Sequence, residues 1–165
     1  MRSLVLLLAV SLAAMAAPPG KKRILVLCTG NSARSQMAQG ILQHLDPRLE
    51  VFSAGTEPAE RVNPRAIQVM REIGIDISGG HPKGVKQFLD QSFDYVITVC
   101  DDADKNCPWF TGQVEHRVHI GFLDPAKATG SEAEILAVFR QVRDQIRTRF
   151  TGYYQSQIKK TLGTG

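Results

Sequence analysis

Residues 23–28, Arg-Ile-Leu-Val-Leu-Cys, form a short apolar run with no polar alternation. That is the signature of a strand buried on both faces of a sheet. The run breaks at Thr29-Gly30-Asn31-Ser32, turn and helix-cap residues. Helical spacing then takes over from about Ala33 to Leu45, with Met37, Ile41 and Leu45 on one face, until Asp46-Pro47 ends it. A buried strand that runs directly into a helix is the first half of a parallel β–α unit, and the pattern repeats along the chain. A second strand spans residues 49–53 and closes on Ala54-Gly55. Asn63-Pro64 opens a helix carrying Ile67, Met70 and Ile73, with Gly74 as its stop. A short helix covers 85–89, and a β-branched strand covers 94–100. A weaker fourth strand covers 114–120. The last helix opens on the capping box Ser131-Glu132-Ala133-Glu134 and buries Ile135, Phe139, Val142, Ile146 and Phe150. The class is α/β, a parallel sheet covered by helices on both faces. Ligands in such sheets bind beyond the carboxyl ends of the strands. Cys28 ends the first strand and Cys100 the third, so both thiols fall on that edge.

The first residues are of another kind. Arg2 precedes an apolar run from Leu4 to Ala17, and Ala14-Met15-Ala16 carries the small residues that a signal peptidase reads. The run is shorter than the roughly 20 residues of a membrane span, so no stable span is expected. Residues 1–20 therefore read as a signal peptide, cleaved after Ala16, with a short linker. The catalytic domain is 21–152, and 153–165 is a C-terminal tail in which Lys159-Lys160 is solvated. The location that follows is periplasmic or secreted; a start codon set too far upstream would make it cytoplasmic. The composition, 43% hydrophobic and 22% charged, is that of an ordinary globular protein. A net charge of +4 suits an anionic substrate. No basic run is interleaved with aromatics, which argues against a nucleic-acid surface.

The chemistry concentrates in Cys28-Thr29-Gly30-Asn31-Ser32-Ala33-Arg34-Ser35. A loop between a buried strand and a helix turns successive N–H groups inward and adds the positive end of the helix dipole. That field grips a small tetrahedral oxyanion and favours the thiolate form of a cysteine, making Cys28 the nucleophile. Arg34 offers a planar fork for two oxygens of the anion, and Gly30 and Asn31 tolerate the positive φ of such a loop. Ser32 or Ser35 can donate to the sulfur. The nucleotide-binding pattern GxxxxGK[ST] is absent. The alternative is a buried structural Cys beside a structural Arg. No metal site is expected: His116 and His119 face opposite sides of a strand, His44 and His81 stand apart, and Asp101, Asp102 and Asp104 lack the Gly and Glu of a calcium loop. Trp109-Phe110 is either a docking patch for a redox partner or packing beneath the loop.

Residues 28–35, the continuation Gln36-Met37-Ala38-Gln39-Gly40, and Ser53-Ala54-Gly55-Thr56 resemble the low-molecular-weight protein tyrosine phosphatase superfamily. The resemblance runs from about 21 to 150. It implies a four-stranded parallel sheet flanked by helices, with Cys28 attacking the oxyanion, Arg34 stabilising it, and Asp124 of Asp124-Pro125 as general acid. Within that superfamily, the segment from Val99 and Cys100 to Cys107-Pro108 resembles the thioredoxin-coupled arsenate reductases, as does Ala126 where phosphatases carry an aromatic. The implied activity is reduction of arsenate to arsenite, an arsenic detoxification. Cys100 attacks the loaded Cys28, Cys107 resolves the Cys28–Cys100 disulfide, and a thioredoxin-like protein reduces Cys100–Cys107. No cofactor is bound, and phosphate competes for the loop. The alternative is a phosphomonoester hydrolase working through a cysteinyl-phosphate, with Cys100–Cys107 as a structural disulfide. Ala33 replaces a further Cys of some reductases, and Gln39 replaces an acidic residue, which removes support for a bound monovalent cation.

Overall fold

A computed structural model describes residues 20–101 and 107–163. Four strands, β1 (Lys22–Cys28), β2 (Leu49–Gly55), β3 (Phe93–Thr98) and β4 (Val114–His119), form one parallel sheet in the order β2-β1-β3-β4. Strand β1 is central, and Ile24, Leu25, Val26 and Leu27 are all fully buried, which is why it reads as unbroken apolar sequence.

Alternation along β1 assigns the two faces. Ile24 and Val26 share a core with α1 (Arg34–Leu45), α2 (Pro64–Arg71) and α3 (Glu132–Tyr153). Leu25 and Leu27 face a second core closed by Phe88 of the short 3-10 helix Val85–Phe88 and by Phe93 and Phe110. Those phenylalanines pack edge-on, with ring centroids 5.8 to 6.1 Å apart. The sheet is the expected four-stranded one. The Asn63 side chain caps α2, and Gly74 just beyond it has φ of 79°. The Ser131–Glu134 capping box is present.

Three differences matter. The third strand ends at Thr98, two residues before Cys100. Leu27 pairs with Thr98 and the Val99 N–H donates to Leu27 O at 2.9 Å, so Cys28 and Cys100 still leave the sheet at one edge. On α3, Leu136 is buried where Ile135 was expected, Ile135 being partly buried. Residues after 153, expected to be a tail, continue as a π-helical turn (Tyr154–Ile158) and a 3-10 turn (Lys159–Thr161). Tyr154, Ile158 and Leu162 are buried in the main core, while Lys159 and Lys160 stay exposed. The Tyr154 hydroxyl donates to Asp46 Oδ2 at 2.5 Å, pinning this segment to the end of α1.

Candidate active site

Cys28 is the last residue of β1 and is 3% exposed. The loop after it is shaped from outside. Thr29 O accepts from Glu57 N (3.0 Å), Gly30 O from Ala59 N (2.8 Å) and Ser32 O from Asn63 N (2.9 Å). With these carbonyls drawn outward, Asn31 N donates to Cys28 Sγ at 3.2 Å. Asn31 has φ of 48°, the left-handed conformation that Asn tolerates. Gly55 of β2 backs the loop; a Cβ there would lie 2.2 Å from Thr29 O, so only glycine fits. Ala33, the N-cap of α1, makes no side-chain cap bond.

Asn31, Arg34 and Ser35 are all buried. Ser35 Oγ lies 2.9 Å from Cys28 Sγ and accepts from Asn31 Nδ2 at 2.8 Å. One lone pair of the oxygen is thus taken, and its own hydrogen is available to a thiolate sulfur. Of the two candidate hydroxyls, Ser35 therefore meets Cys28, whereas Ser32 Oγ donates away to Arg61 O at 2.8 Å. Arg34 donates through Nη1 to Phe122 O (3.1 Å) and holds Nη2 3.4 Å from Asp124 Oδ2. Asp124 in turn accepts from Ala126 N at 3.0 Å, capping the 3-10 turn Pro125–Lys127. The fold thus brings Asp124 across 90 residues of chain to the guanidinium beside Cys28.

The other two cysteines follow β3, the neighbour of β1 in the sheet. All three are free thiols. Cys100 is fully buried in the core that contains Cys28, and half-buried Cys107 packs against that core. Burial pushes the Cys100 thiol well above the ordinary thiol range; a hydrogen bond with Cys107 and the nearby charges of Cys107 and Cys28 add to this, while Arg34 opposes it. Residues 102–106, including Asp102 and Asp104, lie outside the described residues, as do 1–19 with the signal segment.

Of the pair Trp109-Phe110, only Phe110 fits packing beneath the loop. Phe110 is buried, whereas Trp109 is 77% exposed with the Arg117 guanidinium 5.0 Å from its ring centre. A cavity of about 470 Å³ bordered by Cys107, Pro108, Trp109 and His119 lies beside Cys107 rather than over Cys28. The sequence carried no signal for three further parts of the site: Gln36, the backbone at 81–83, and Phe122 O. Each acts through an amide or carbonyl whose direction depends on the closed fold.

Residues 23–163 match the family of low molecular weight phosphotyrosine protein phosphatases. The chain belongs to this family. Within it, the chain is similar to an arsenate reductase of Halalkalibacterium halodurans, 48% identical over 137 residues, 82% of this chain and 97% of that protein. An arsenate reductase of Bacillus subtilis is 43% identical over 136 residues, 82% of this chain and 96% of that protein. A solved arsenate reductase in a phosphate-binding state superposes with a TM-score of 0.68 at 34% identity, covering 81% of this chain and 97% of that one. These comparisons correct one expectation. Almost the whole length of the two relatives is matched while the family match begins only at Arg23. The likeness to these enzymes therefore includes no export segment, and the periplasmic or secreted location is withdrawn.

Proposed function

We propose that this family member is an arsenate reductase that passes oxidation along Cys28, Cys100 and Cys107. The observation that carries the reading is the buried Cys100 thiol, in the same core as Cys28 and with half-buried Cys107 packed against that core. Ester hydrolysis needs Cys28, Arg34 and Asp124 only; two more thiols at the same core suit a redox relay. The similarity to proteins named arsenate reductase supports it.

The Cys28 thiolate, receiving bonds from Asn31 N and Ser35 Oγ, attacks the arsenic of an oxyanion held by the loop amides and Arg34. Asp124 gives its proton to the departing oxygen, which leaves as water. Cys100 then attacks Cys28 Sγ, forming a disulfide; the S–As electron pair goes to arsenic, which leaves as arsenite, reduced from As(V) to As(III). Cys107 attacks Cys100 in turn, freeing Cys28 as a thiolate and leaving a Cys100–Cys107 disulfide. An external dithiol protein of the thioredoxin type supplies two electrons to reopen it, and no bound cofactor is required. The chemistry of Cys100 fits its order in this relay. Burial keeps it neutral at rest, so it is a poor nucleophile until Cys28 carries arsenic. Once Cys28 is bonded to arsenic its charge is gone, and one of the influences that hold the Cys100 proton disappears.

The test is to incubate the reduced protein with arsenate and map disulfides by mass spectrometry, with Cys28→Ser and Cys107→Ser alongside. Arsenate-driven Cys100–Cys107 formation that needs Cys28, with the Cys107→Ser variant stalling at Cys28–Cys100, is the expected result. Oxidation of the pair at the same rate without arsenate or Cys28 would instead mark a structural disulfide and a phosphomonoester hydrolase.

A further inference from the structure

Gln36 is 3% exposed and lies in the first turn of α1, one residue past Ser35. Its position on the helix does not require an amide, yet its amide nitrogen is fully engaged. Nε2 has Asn31 O at 3.1 Å, Asn31 Oδ1 at 3.3 Å and His81 O at 3.2 Å. The segment that carries His81 closes on the same residue from the other side: Lys83 N donates to Asn31 Oδ1 at 2.8 Å, and Lys83 O accepts from Gly55 N at 2.8 Å. Gly80 packs against the amide so closely that a Cβ there would lie 2.7 Å from Gln36 Oε1. Asn31 is therefore clasped at its carbonyl and its side-chain oxygen, and it is the residue whose N–H and Nδ2 both point toward the Cys28–Ser35 pair.

We infer that Gln36 is a positioning residue: its amide ties the 80–83 segment to Asn31 and holds the left-handed turn that aims the Asn31 N–H into the anion cradle. This inference rests on the reading of the Cys28 loop as an oxyanion site, but not on arsenate reduction. A buried carbonyl that loses its donor is costly, and a left-handed non-glycine residue relaxes when its restraints go. The cradle without Gln36 therefore loses preorganisation, while the sheet keeps its packing.

The experiment uses Gln36→Met, which keeps the shape and removes the donor. Two readouts are taken on the reduced protein: protection of Cys28 from iodoacetamide by inorganic phosphate, and amide hydrogen exchange by NMR. Phosphate protection should weaken about five- to tenfold, the value of one lost buried hydrogen bond. Exchange at Asn31 N–H should quicken by a similar factor, while Leu25 and Val26 in β1 remain as slow as in the parent. Gly80→Ala, which pushes the amide off its partners without removing it, should give the same pattern and serves where Gln36→Met does not fold. Unchanged phosphate protection in a folded variant overturns the inference, as does faster exchange spread evenly over β1. If phosphate fails to protect Cys28 in the parent protein, the oxyanion reading itself fails, a distinct result.

Discussion

Replacing Arg34 by Lys tests how the site stabilises charge. The guanidinium is 5% exposed and serves two directions at once, Phe122 O at 3.1 Å and Asp124 Oδ2 at 3.4 Å. A lysine ammonium keeps the positive charge but is a single donor atom on a flexible stem. It can meet one of those two oxygens or one oxygen of a bound anion, not a pair in fixed register. A charge-assisted hydrogen bond is worth about 1.5–3 kcal/mol. Loss of one arm from the attacking geometry should thus cost about 2–3 kcal/mol in the transition state, or roughly 30- to 160-fold in rate. Ground-state attraction survives with the charge, so phosphate protection should weaken by less than about tenfold. The buried Phe122 carbonyl also loses its partner, a stability cost of about 1–3 kcal/mol. Rapid-quench measurement of arsenite released in a single turnover, alongside phosphate protection and urea unfolding, separates the three. A rate within fivefold of the parent would refute the two-armed role of Arg34. So would a loss in binding equal to the loss in rate.

Other outcomes follow from the same geometry. Arsenite release in a single turnover should rise about tenfold per pH unit from neutrality to about pH 10 where Cys100 attack limits it, because burial raises that thiol; levelling near the ordinary thiol value of about 8.5 would contradict the buried-thiol account. Tyr154→Phe removes a donor to the Asp46 carboxylate and should cost about 1.5–3 kcal/mol in urea unfolding at pH 7. Hydrogen bonds from Arg48 foremost, with Tyr154 contributing, hold that carboxyl well below the usual carboxylate range. Its stabilisation is present above the unfolded value of about 3.9 and fades as pH falls toward the folded one, so the Tyr154→Phe penalty should shrink by about pH 2. Equal penalties at both pH values would count against it. Gly55→Ala forces a Cβ onto Thr29 O and should weaken phosphate protection of Cys28 by more than about tenfold; intact protection would show that the loop does not lean on β2.

Much of the frame was legible because its signals are local. The run 23–28, the break at 29–32 and helical spacing after it place the loop correctly, and β1 and α1 begin and end within one residue of expectation. The Ser131–Glu134 box and Gly74 act through bonds three or four residues away, so their types suffice. The end of β3 was less legible: Val99 and Cys100 continue the apolar, β-branched pattern, yet pairing with β1 stops at Leu27–Thr98, one residue before β1 itself ends at Cys28. The segment after 153 reads as a tail for a related reason. Tyr154, Ile158 and Leu162 are apolar at spacings of four, and only the partner at Asp46, 108 residues earlier, explains why Tyr154 is buried.

By itself the sequence determined the α/β class, the strand–loop–helix that holds Cys28, and the membership of Arg34 and Ser35 in one cradle. These follow from periodicity and from contacts within about eight residues. The tertiary structure decided which thiols share a core, that Asp124 rather than another acid meets Arg34, and that Gln36 and the 81–83 backbone clasp Asn31. Those contacts join atoms 45 to 90 residues apart through directional amides and carboxylates. Their partners exist only once the parallel strands have closed side by side, because residue type sets what a group can bond and chain folding sets what stands opposite it.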